Sequence, residues 1–325
     1  MPWTPKRHQI WTHQKGDIMY NIIIIGAGPA GMSAAIYAAR KQMNQLVISD
    51  ETGGQALYAN SIDNYPGFRQ TSGYDLAKAF EKHMKDYGVE PVFDMAKNIE
   101  LNDRIFTVKT SGGASYETRS LIVASGKAPK DLGVPGENEY KGKGVAYCAT
   151  CDAPMYAGED VAIAGTGNAG LQAAIQLAKI ARKVYVIDFV RDLYGDSLLV
   201  QTMTAFPNVE VMLQTRIVEI KGGAMMESIV IENQTEGEKR EIPATGIFVS
   251  IGSEPNTAFV PDWINKSPNG EIRIDCANLT NVPGFFAAGD CTNVPGKQIV
   301  IAAGEGAKAI LSAYNYLLYS FPGES

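Results

Sequence analysis

Histidine is scarce in this sequence, whose 325 residues include only three. His8 and His13 precede the first recognisable strand, which leaves His83 as the only histidine in the body of the chain. This scarcity excludes metal sites built from several histidines, and a histidine general base could only be His83. Because His83 borders the apolar side of a predicted helix over 74–87, we expect it to have a packing role.

Cysteine and excess positive charge are also lacking. Lys and Arg number 29 against 35 Asp and Glu, and this net charge of −6 argues against a nucleic-acid partner. Of the four cysteines, Cys148 and Cys151 form a C-x-x-C pair, whereas Cys276 and Cys291 stand alone. This is not the framework of a small secreted protein, so a redox pair in a reducing compartment is the better interpretation. We interpret the two single cysteines as small buried hydrophobic residues.

The sequence shows neither a secretion signal nor a convincing membrane-spanning helix. Residues 1–19 have no apolar core of signal-peptide length, so we predict a disordered leader, a cytoplasmic protein and no membrane partner. The uncharged stretch 22–39 is long enough for a membrane helix, but three glycines and a proline interrupt it. A strand, a turn and a helix account for this stretch better.

What the sequence does contain is a dinucleotide-binding pattern. Its parts are a strand over 21–25, the turn Gly26-x-Gly28-x-x-Gly31, a helix over 32–40, a strand over 45–48 and Asp50. The glycines allow backbone amides to approach a pyrophosphate at the start of the helix, where the helix dipole favours an anion. An acidic residue after the second strand can accept a hydrogen bond from a ribose hydroxyl. The pattern therefore predicts a nucleotide site.

The same pattern occurs a second time. It consists of a strand over 161–164, the turn Gly165-x-Gly167-x-x-Gly170, a helix over 171–180, a strand over 183–187 and Asp188. Two dinucleotide sites in one chain are typical of a flavin that meets a nicotinamide. An acid at Asp188 favours a ribose with a free 2′-hydroxyl, and hence NADH over NADPH.

The C-x-x-C pair lies between the two patterns and is followed by Asp152. A redox pair needs two sulfurs that can bridge, a thiolate that attacks and a proton donor for the leaving sulfur. Asp152 is placed to supply or relay that proton. The alternative is half of a zinc site, but no second pair of ligands stands at a suitable spacing, so we predict no metal.

Six motifs follow one another in an order that resembles the low-molecular-weight thioredoxin reductases. They are Gly26-x-Gly28-x-x-Gly31, Gly53-Gly54-Gln55, Asn64-Tyr-Pro-Gly67, Cys148-Ala-Thr-Cys151-Asp152, Gly165-x-Gly167-x-x-Gly170 and Gly289-Asp290. The resemblance covers the chain from Tyr20 to its end. The stretches 286–292 and 297–306 are most similar to the reductase portion of the alkyl hydroperoxide reductase flavoprotein.

The resemblance implies an α/β fold with two Rossmann-like three-layer domains. Residues 20–130 and 253–325 would form a discontinuous FAD-binding domain. Residues 131–252, which carry the C-x-x-C pair, would form an inserted NAD(P)-binding domain. The resemblance also implies a homodimer.

The resemblance further assigns roles to matching residues. Cys151 would face the flavin and Cys148 would attack the partner's disulfide. Asp152 would be the acid/base residue, because the C-terminal histidine base of the larger glutathione-reductase type has no counterpart after His83. The expected FAD contacts are Gly26, Gly28, Ala30, Gly31, Asp50, Gly54, Gln55, Asn64, Gly126, Gly289, Asp290, Lys297, Gln298 and Ile299. The expected NAD contacts are Gly165, Gly167, Asn168, Gly170 and Asp188.

One departure from the family concerns the electron donor. NADPH-dependent members carry H-R-R-x-x-x-R after the second strand of the second pattern, whereas residues 188–194 here contain only one cation, Arg191. NADPH is therefore disfavoured and NADH is expected. The alternative is that nicotinamide binding is lost and that ferredoxin or another one-electron donor reduces the flavin. The expected acceptor is a separate thioredoxin- or glutaredoxin-like protein.

Overall fold

The computed structural model describes residues 19–59, 62–235 and 237–322. These residues form two compact units. The first unit contains residues 19–57, 64–128 and 254–322, and the second contains the described part of 129–253 with a short piece near 58–63. Of the leader predicted over 1–19, residues 1–18 lie outside the described residues, and Met19 is the first residue of β1. The assignment of FAD to the first unit and of the nicotinamide nucleotide to the second stays a prediction.

The elements are numbered in chain order. The first unit begins with strands β1 (Met19–Ala27), β2 (Gln45–Thr52), β3 (Val92–Phe93), β4 (Ala96–Asn102), β5 (Ile105–Thr110) and β6 (Ser115–Val123), and with helices α1 (Pro29–Arg40) and α2 (Gly73–Asp86). After β7 (Lys127–Pro129), the second unit contains β8 (Val145–Ala146), β9 (Asp160–Ala164), β10 (Lys183–Ile187), β11 (Val209–Met212), β12 (Thr215–Gly222), β13 (Met226–Asn233), β14 (Lys239–Pro243), β15 (Gly246–Val249), α3 (Ala149–Asp152), α4 (Asn168–Ala178) and α5 (Ser197–Thr204). The chain returns through β16 (Ser253–Pro255) to β17 (Phe285–Ala287) and α6 (Ile299–Ser320).

The first unit is built on a mixed sheet with strand order β3-β2-β1-β6-β5-β4, in which β17 also pairs with β6. Strand β1 is central and runs parallel to β2 and β6, with Ile23 opposite both Leu46 and Leu121. Ile22 and Ile24 pack against α1 and α6, whereas Ile23 packs on the other face. Because both faces are covered, the middle of β1 is a continuous apolar run, as its sequence predicts.

The second unit is built on a parallel sheet with strand order β11-β10-β9-β15-β8. Val161 and Ile163 of β9 pack against α4, while Ala162 and Ala164 join the core beneath the antiparallel sheet β12-β13-β14. Two β-α-β patterns thus give two Rossmann-like units, and the predicted α/β fold class is confirmed.

Helix α2 is the helix that carries His83. The Ser72 side chain accepts a hydrogen bond from the Asp75 backbone N–H at 3.0 Å and so caps its start. The ring centroid of His83 lies 5.6 Å from that of Tyr87, the C-cap residue of this helix. Among the described residues, none of the helices combines the length and apolar character needed to cross a bilayer.

Candidate functional site

The first glycine-rich turn joins β1 to α1 within the first unit. Gly26 has a φ of +105°, which only glycine adopts readily, and a Cβ on Gly31 would overlap the Gly26 carbonyl oxygen. Gly28 is the N-cap of α1 and supplies no side chain for the helix's free N–H groups. A Cβ at Gly28 would meet nothing within 4 Å. The start of α1 is therefore open above Gly28.

The second turn repeats this backbone within the second unit. Gly165 has a φ of +109°, and a Cβ on Gly170 would overlap the Gly165 carbonyl oxygen. Gly167 is the N-cap of α4, again without a side-chain hydrogen bond to the helix. Asn168 begins α4, and its side-chain oxygen accepts from the Asp196 backbone N–H at 2.8 Å. Both turns thus have the geometry that a pyrophosphate needs at a helix N-terminus.

The end of the second strand differs between the two turns. Asp188 follows β10 directly and is 6% exposed; its Oδ2 accepts from the Thr166 backbone N–H at 2.7 Å and from the Thr166 hydroxyl at 2.6 Å. At the matching position of the first turn, the Ser49 hydroxyl accepts from the Ala27 backbone N–H at 3.0 Å. The structural counterpart of Asp188 is therefore Ser49 and not Asp50.

Asp50 lies one residue beyond that position. The predicted strand over 45–48 continues in the structure to Thr52, so Asp50 falls inside β2 rather than after it. Its side chain is exposed, and Oδ1 accepts from the Glu51 backbone N–H at 3.1 Å. The pKa of Glu51 is raised by burial and by the Asp50 charge. A ribose contact by Asp50 stays a prediction.

Two further predicted FAD residues of the first unit, Gly54 and Gly289, lie against the start of α1. A Cβ at Gly54 would lie 3.3 Å from the Gly28 Cα, and one at Gly289 would lie 3.0 Å from the Ala30 Cβ. A Cβ at Gly306, on α6, would overlap the Ala30 carbonyl oxygen. Three separate parts of the chain therefore approach the first glycine-rich turn at van der Waals distance.

The segment before α6 is fixed from two sides. The Asn64 side-chain amide donates to Gln298 Oε1 at 3.1 Å, and Gln298 is the N-cap of α6, which begins at Ile299. Lys297 Nζ donates to the Thr292 carbonyl oxygen and lies 3.4 Å from Glu271.

Two other predicted FAD residues lie elsewhere in the first unit. Gln55 is exposed, and Gly126 has a φ of +69° with its carbonyl accepting from the Asn256 N–H.

Asp290 fits a hydroxyl-bearing ligand. Burial raises the pKa of its carboxyl, against the opposing effect of the Lys297 and Lys127 charges. Its carboxylate oxygens accept no hydrogen bond from the described residues. A partly buried acceptor without a donor suits the ribityl hydroxyls of FAD, and the open N-terminus of α1 suits its pyrophosphate. The residues present therefore fit this cofactor.

The cysteine pair lies at the start of α3 in the second unit. Cys148 and Cys151 form a disulfide with their Cα atoms 5.4 Å apart. Asp152 directly follows and is 3% exposed, with its backbone N–H donating to the Cys148 carbonyl at 3.0 Å. Burial and the charge of Asp152 raise the pKa of the Tyr156 phenol to about 12. A buried carboxyl group thus adjoins the disulfide within one short helical turn.

Tyr147, the residue before Cys148, belongs to a polar network that the sequence did not predict. The Tyr147 hydroxyl lies 2.8 Å from Asp131 Oδ1 and 2.9 Å from Glu137 Oε1. Glu137 is 2% exposed and also accepts from the Leu132 and Gly133 backbone N–H groups, each at 2.8 Å. Burial and these two acids raise the pKa of Tyr147. The adjacency of Tyr147 to Cys148 was the only signal for this network in the sequence.

The two single cysteines are free. Cys291 is fully buried, and burial raises the pKa of its thiol, so it matches the predicted small hydrophobic residue. Cys276 is exposed, and its prediction as a buried residue is wrong.

Comparisons with known proteins agree with this architecture. A family model described as pyridine nucleotide-disulphide oxidoreductase matches residues 20–306. The chain is 40% identical over 304 residues to the F component of alkyl hydroperoxide reductase in Pseudomonas putida, covering 92% of this chain and 58% of that protein. It is 39% identical over 300 residues to a protein of Bacillus subtilis named NADH dehydrogenase, covering 92% and 59%. The chain therefore spans less than two thirds of these relatives.

Solved structures give the same likeness over their whole length. The thioredoxin reductase from Streptococcus pyogenes superimposes with a TM-score of 0.87 at 35% identity, covering 93% of this chain and 99% of that one. A ferredoxin-flavin thioredoxin reductase from Clostridium acetobutylicum matches with a TM-score of 0.51 at 32% identity, covering 93% and 99%. The resemblance drawn from the sequence motifs is confirmed.

Proposed function

This chain belongs to the pyridine nucleotide-disulphide oxidoreductase family, and on that premise we propose that it is an FAD-dependent disulfide reductase fed by NADH. Its electrons would reach the Cys148–Cys151 disulfide and then the disulfide of a separate thioredoxin- or glutaredoxin-like protein. The observation that carries the proposal is the formed disulfide beside the buried Asp152, in a chain with two glycine-rich nucleotide turns. A homodimer remains part of the proposal by resemblance alone.

FAD, when bound, would supply the redox chemistry that links electron donation by the nicotinamide to reduction of the Cys148–Cys151 disulfide. In the first unit, the open amides at the start of α1 would hold its pyrophosphate, and Asp290 would hold its ribityl chain. The other expected contacts are Ala30, Asp50, Gly54, Gln55, Asn64, Gly126, Gly289, Lys297, Gln298 and Ile299. The role of the protein at this cofactor is to bind it, orient it and exclude water.

The dithiol step follows from thiol chemistry. The reduced Cys148 thiolate attacks one sulfur of the partner's disulfide, which forms a mixed disulfide and releases the partner's other sulfur as a thiolate. Cys151 then attacks the Cys148 sulfur, which restores the Cys148–Cys151 disulfide and releases the second partner thiolate. Asp152 would donate the proton that a departing thiolate takes up, because it is the acid next to Cys151.

For the nicotinamide nucleotide, the start of α4 would hold the pyrophosphate and Asp188 the ribose. The candidate contacts are Gly165, Gly167, Asn168, Gly170 and Asp188. The Asp188 carboxylate supports NADH over NADPH, because a 2′-phosphate beside it would be repelled. A second candidate is reduction by ferredoxin, supported by the likeness to the ferredoxin-flavin enzyme and by the missing cationic clamp.

The test is anaerobic reduction of the FAD-loaded protein, followed by flavin absorbance. We expect NADH to bleach the flavin at concentrations at which NADPH does not. Bleaching by reduced ferredoxin but not by NADH would replace the first candidate by the second. The variant Cys148→Ser should still allow flavin reduction and should lose partner reduction, whereas Cys276→Ser, at an exposed free cysteine, should behave as the wild type. Partner reduction by the Cys148→Ser variant would contradict the assigned attacking sulfur.

A further inference from the structure

The two glycine-rich turns differ in what lies over their second glycine. In dinucleotide sites this glycine lets the backbone approach the pyrophosphate closely. Above Gly28 in the first turn, a Cβ would meet nothing within 4 Å. Above Gly167 in the second turn, a Cβ would lie 3.3 Å from the Tyr194 hydroxyl oxygen and 3.5 Å from its ring carbon Cε2. The same backbone is thus open in one turn and covered by a tyrosine in the other.

The backbone around Tyr194 is fastened to the start of α4. The neighbouring Gly195 packs so closely that a Cβ there would overlap Leu171 Cδ1. The Asp196 backbone N–H donates to Asn168 Oδ1 at 2.8 Å, and Asp196 itself caps α5. These contacts hold residues 195 and 196 over the first turn of α4, which fixes where the side chain of Tyr194 begins.

The side chain of Tyr194 meets the turn but is not locked to it. Burial and the charge of Asp188 raise the pKa of the Tyr194 phenol, and the Gly167 backbone N–H, which its hydroxyl oxygen faces, opposes that shift. The side chain is nevertheless 62% exposed, so it can turn away into solvent without leaving a cavity in the core. Tyr194 also occupies the last position of the segment 188–194, where NADPH-dependent relatives carry an arginine.

We propose that Tyr194 is a displaceable cover of the second glycine-rich turn, which a dinucleotide must move aside to place its pyrophosphate on Gly167. The cover lowers the fraction of the protein that is competent to bind and weakens the apparent affinity by the same factor. An adenine dinucleotide then binds in two steps, of which the first is the rotation of Tyr194 off the turn. The inference rests on the proposed nicotinamide site in the second unit.

The test is titration of the oxidised, FAD-loaded protein with NAD⁺ and with ADP-ribose by calorimetry, so that no electron transfer is involved. Because the contacts to be broken are of hydrogen-bond strength, we expect Tyr194→Ala to bind both ligands roughly 3- to 10-fold more tightly than the wild type. Tyr194→Phe keeps the ring and should fall between the two. The control Leu198→Ala removes a side chain of similar exposure on the next helix and should leave both affinities unchanged.

Unchanged or weaker binding by Tyr194→Ala would overturn the inference, since Tyr194 would then be either irrelevant or a ligand contact. If the wild type still bound NAD⁺ in that experiment, the proposed nicotinamide site would stand without its cover. If neither the wild type nor Tyr194→Ala bound either ligand, both the cover and the NADH donor would be refuted. Binding by Tyr194→Ala alone would support the cover in its strongest form.

Discussion

Replacing Asp188 separates its two roles in the second unit. One Asp188 oxygen accepts both the backbone N–H and the hydroxyl of Thr166, and the carboxylate is almost fully buried. In Asp188→Ala, both Thr166 donors lose a charged acceptor inside the protein. A hydrogen bond to a charged group contributes about 1.5–3 kcal/mol. Because the two bonds share one acceptor oxygen, their contributions are less than additive, and we expect a loss of about 2–4 kcal/mol in the free energy of unfolding.

This loss is measurable without any nicotinamide ligand. For a folding unit of the size of the second unit, residues 129–253, 1 kcal/mol corresponds to roughly 4 °C in Tm, so Asp188→Ala should lower the Tm of that unit by roughly 8–16 °C. Asp188→Asn keeps an oxygen facing Thr166 and should lose less than about 1 kcal/mol. The control Asp192→Asn alters an exposed acid on the same segment and should leave Tm unchanged.

The ribose role is measured by binding. Both Asp188 variants should weaken NAD⁺ binding, Asp188→Ala by about 1–3 kcal/mol, which is roughly 5- to 150-fold in Kd. A variant that unfolds roughly 4 °C or more below the wild type yet binds NAD⁺ normally would show that Asp188 only braces the turn. If Asp188→Ala changed neither Tm nor Kd, the whole interpretation of this carboxylate would be refuted.

Two further predictions concern the first unit. Gly306→Ala places a methyl group against the Ala30 carbonyl oxygen and should lower the free energy of unfolding by about 1–3 kcal/mol or more. The control Gly304→Ala, on the same helix, places a methyl group with nothing within 4 Å and should raise the free energy of unfolding by up to about 1 kcal/mol. Chemical denaturation measures both changes. Burial raises the pKa of Asp290, so the folded state holds its proton more tightly than the unfolded chain, and stability is lost as pH rises from the ordinary aspartate pKa through the raised one. Asp290→Asn should therefore raise the Tm of FAD-free protein at pH 7 more than at pH 5, and should weaken FAD retention; a variant that lowers Tm at pH 7 would contradict this sign.

The glycines of both turns could be located from the sequence because their constraint is local. Gly26 and Gly165 require a positive φ, and Gly31 and Gly170 must approach a carbonyl a few residues earlier in the chain. Helix starts were less well placed. The helix predicted from Met32 begins at Pro29, since proline favours the first helical position and Gly28 is the cap.

Counting residues from the glycines does not show that Asp50 and Asp188 occupy different positions relative to their turns. Asp50 is 24 positions after Gly26 and Asp188 is 23 after Gly165, and the single extra residue moves Asp50 past the turn and leaves Ser49 there. Sequence spacing does not show how far a strand continues, because β2 is extended by its pairing with β1 through Thr52. Register between strands is a tertiary property.

Contacts made across long stretches of chain could not be predicted. Tyr147 finds Asp131 and Glu137 through the loop that follows β7, and Tyr194 reaches Gly167 through the loop that follows β10. No sequence motif or residue spacing links Tyr147 to its two acids or Tyr194 to Gly167. Both contacts were visible only once the backbone had been placed.

The split of the first unit along the chain has a consequence for biosynthesis. Its strand β6 pairs through Leu121 to Val123 with β17, and its helix α1 packs on α6. Both partners leave the ribosome after the whole second unit, whose elements from β8 to β15 are contiguous. During translation the second unit can therefore complete its core first. Until β17 and α6 have been synthesised, the edge of β6 at residues 121–123 and one side of α1 stay exposed in the first unit. Chaperone demand and premature termination should accordingly affect the first unit more than the second.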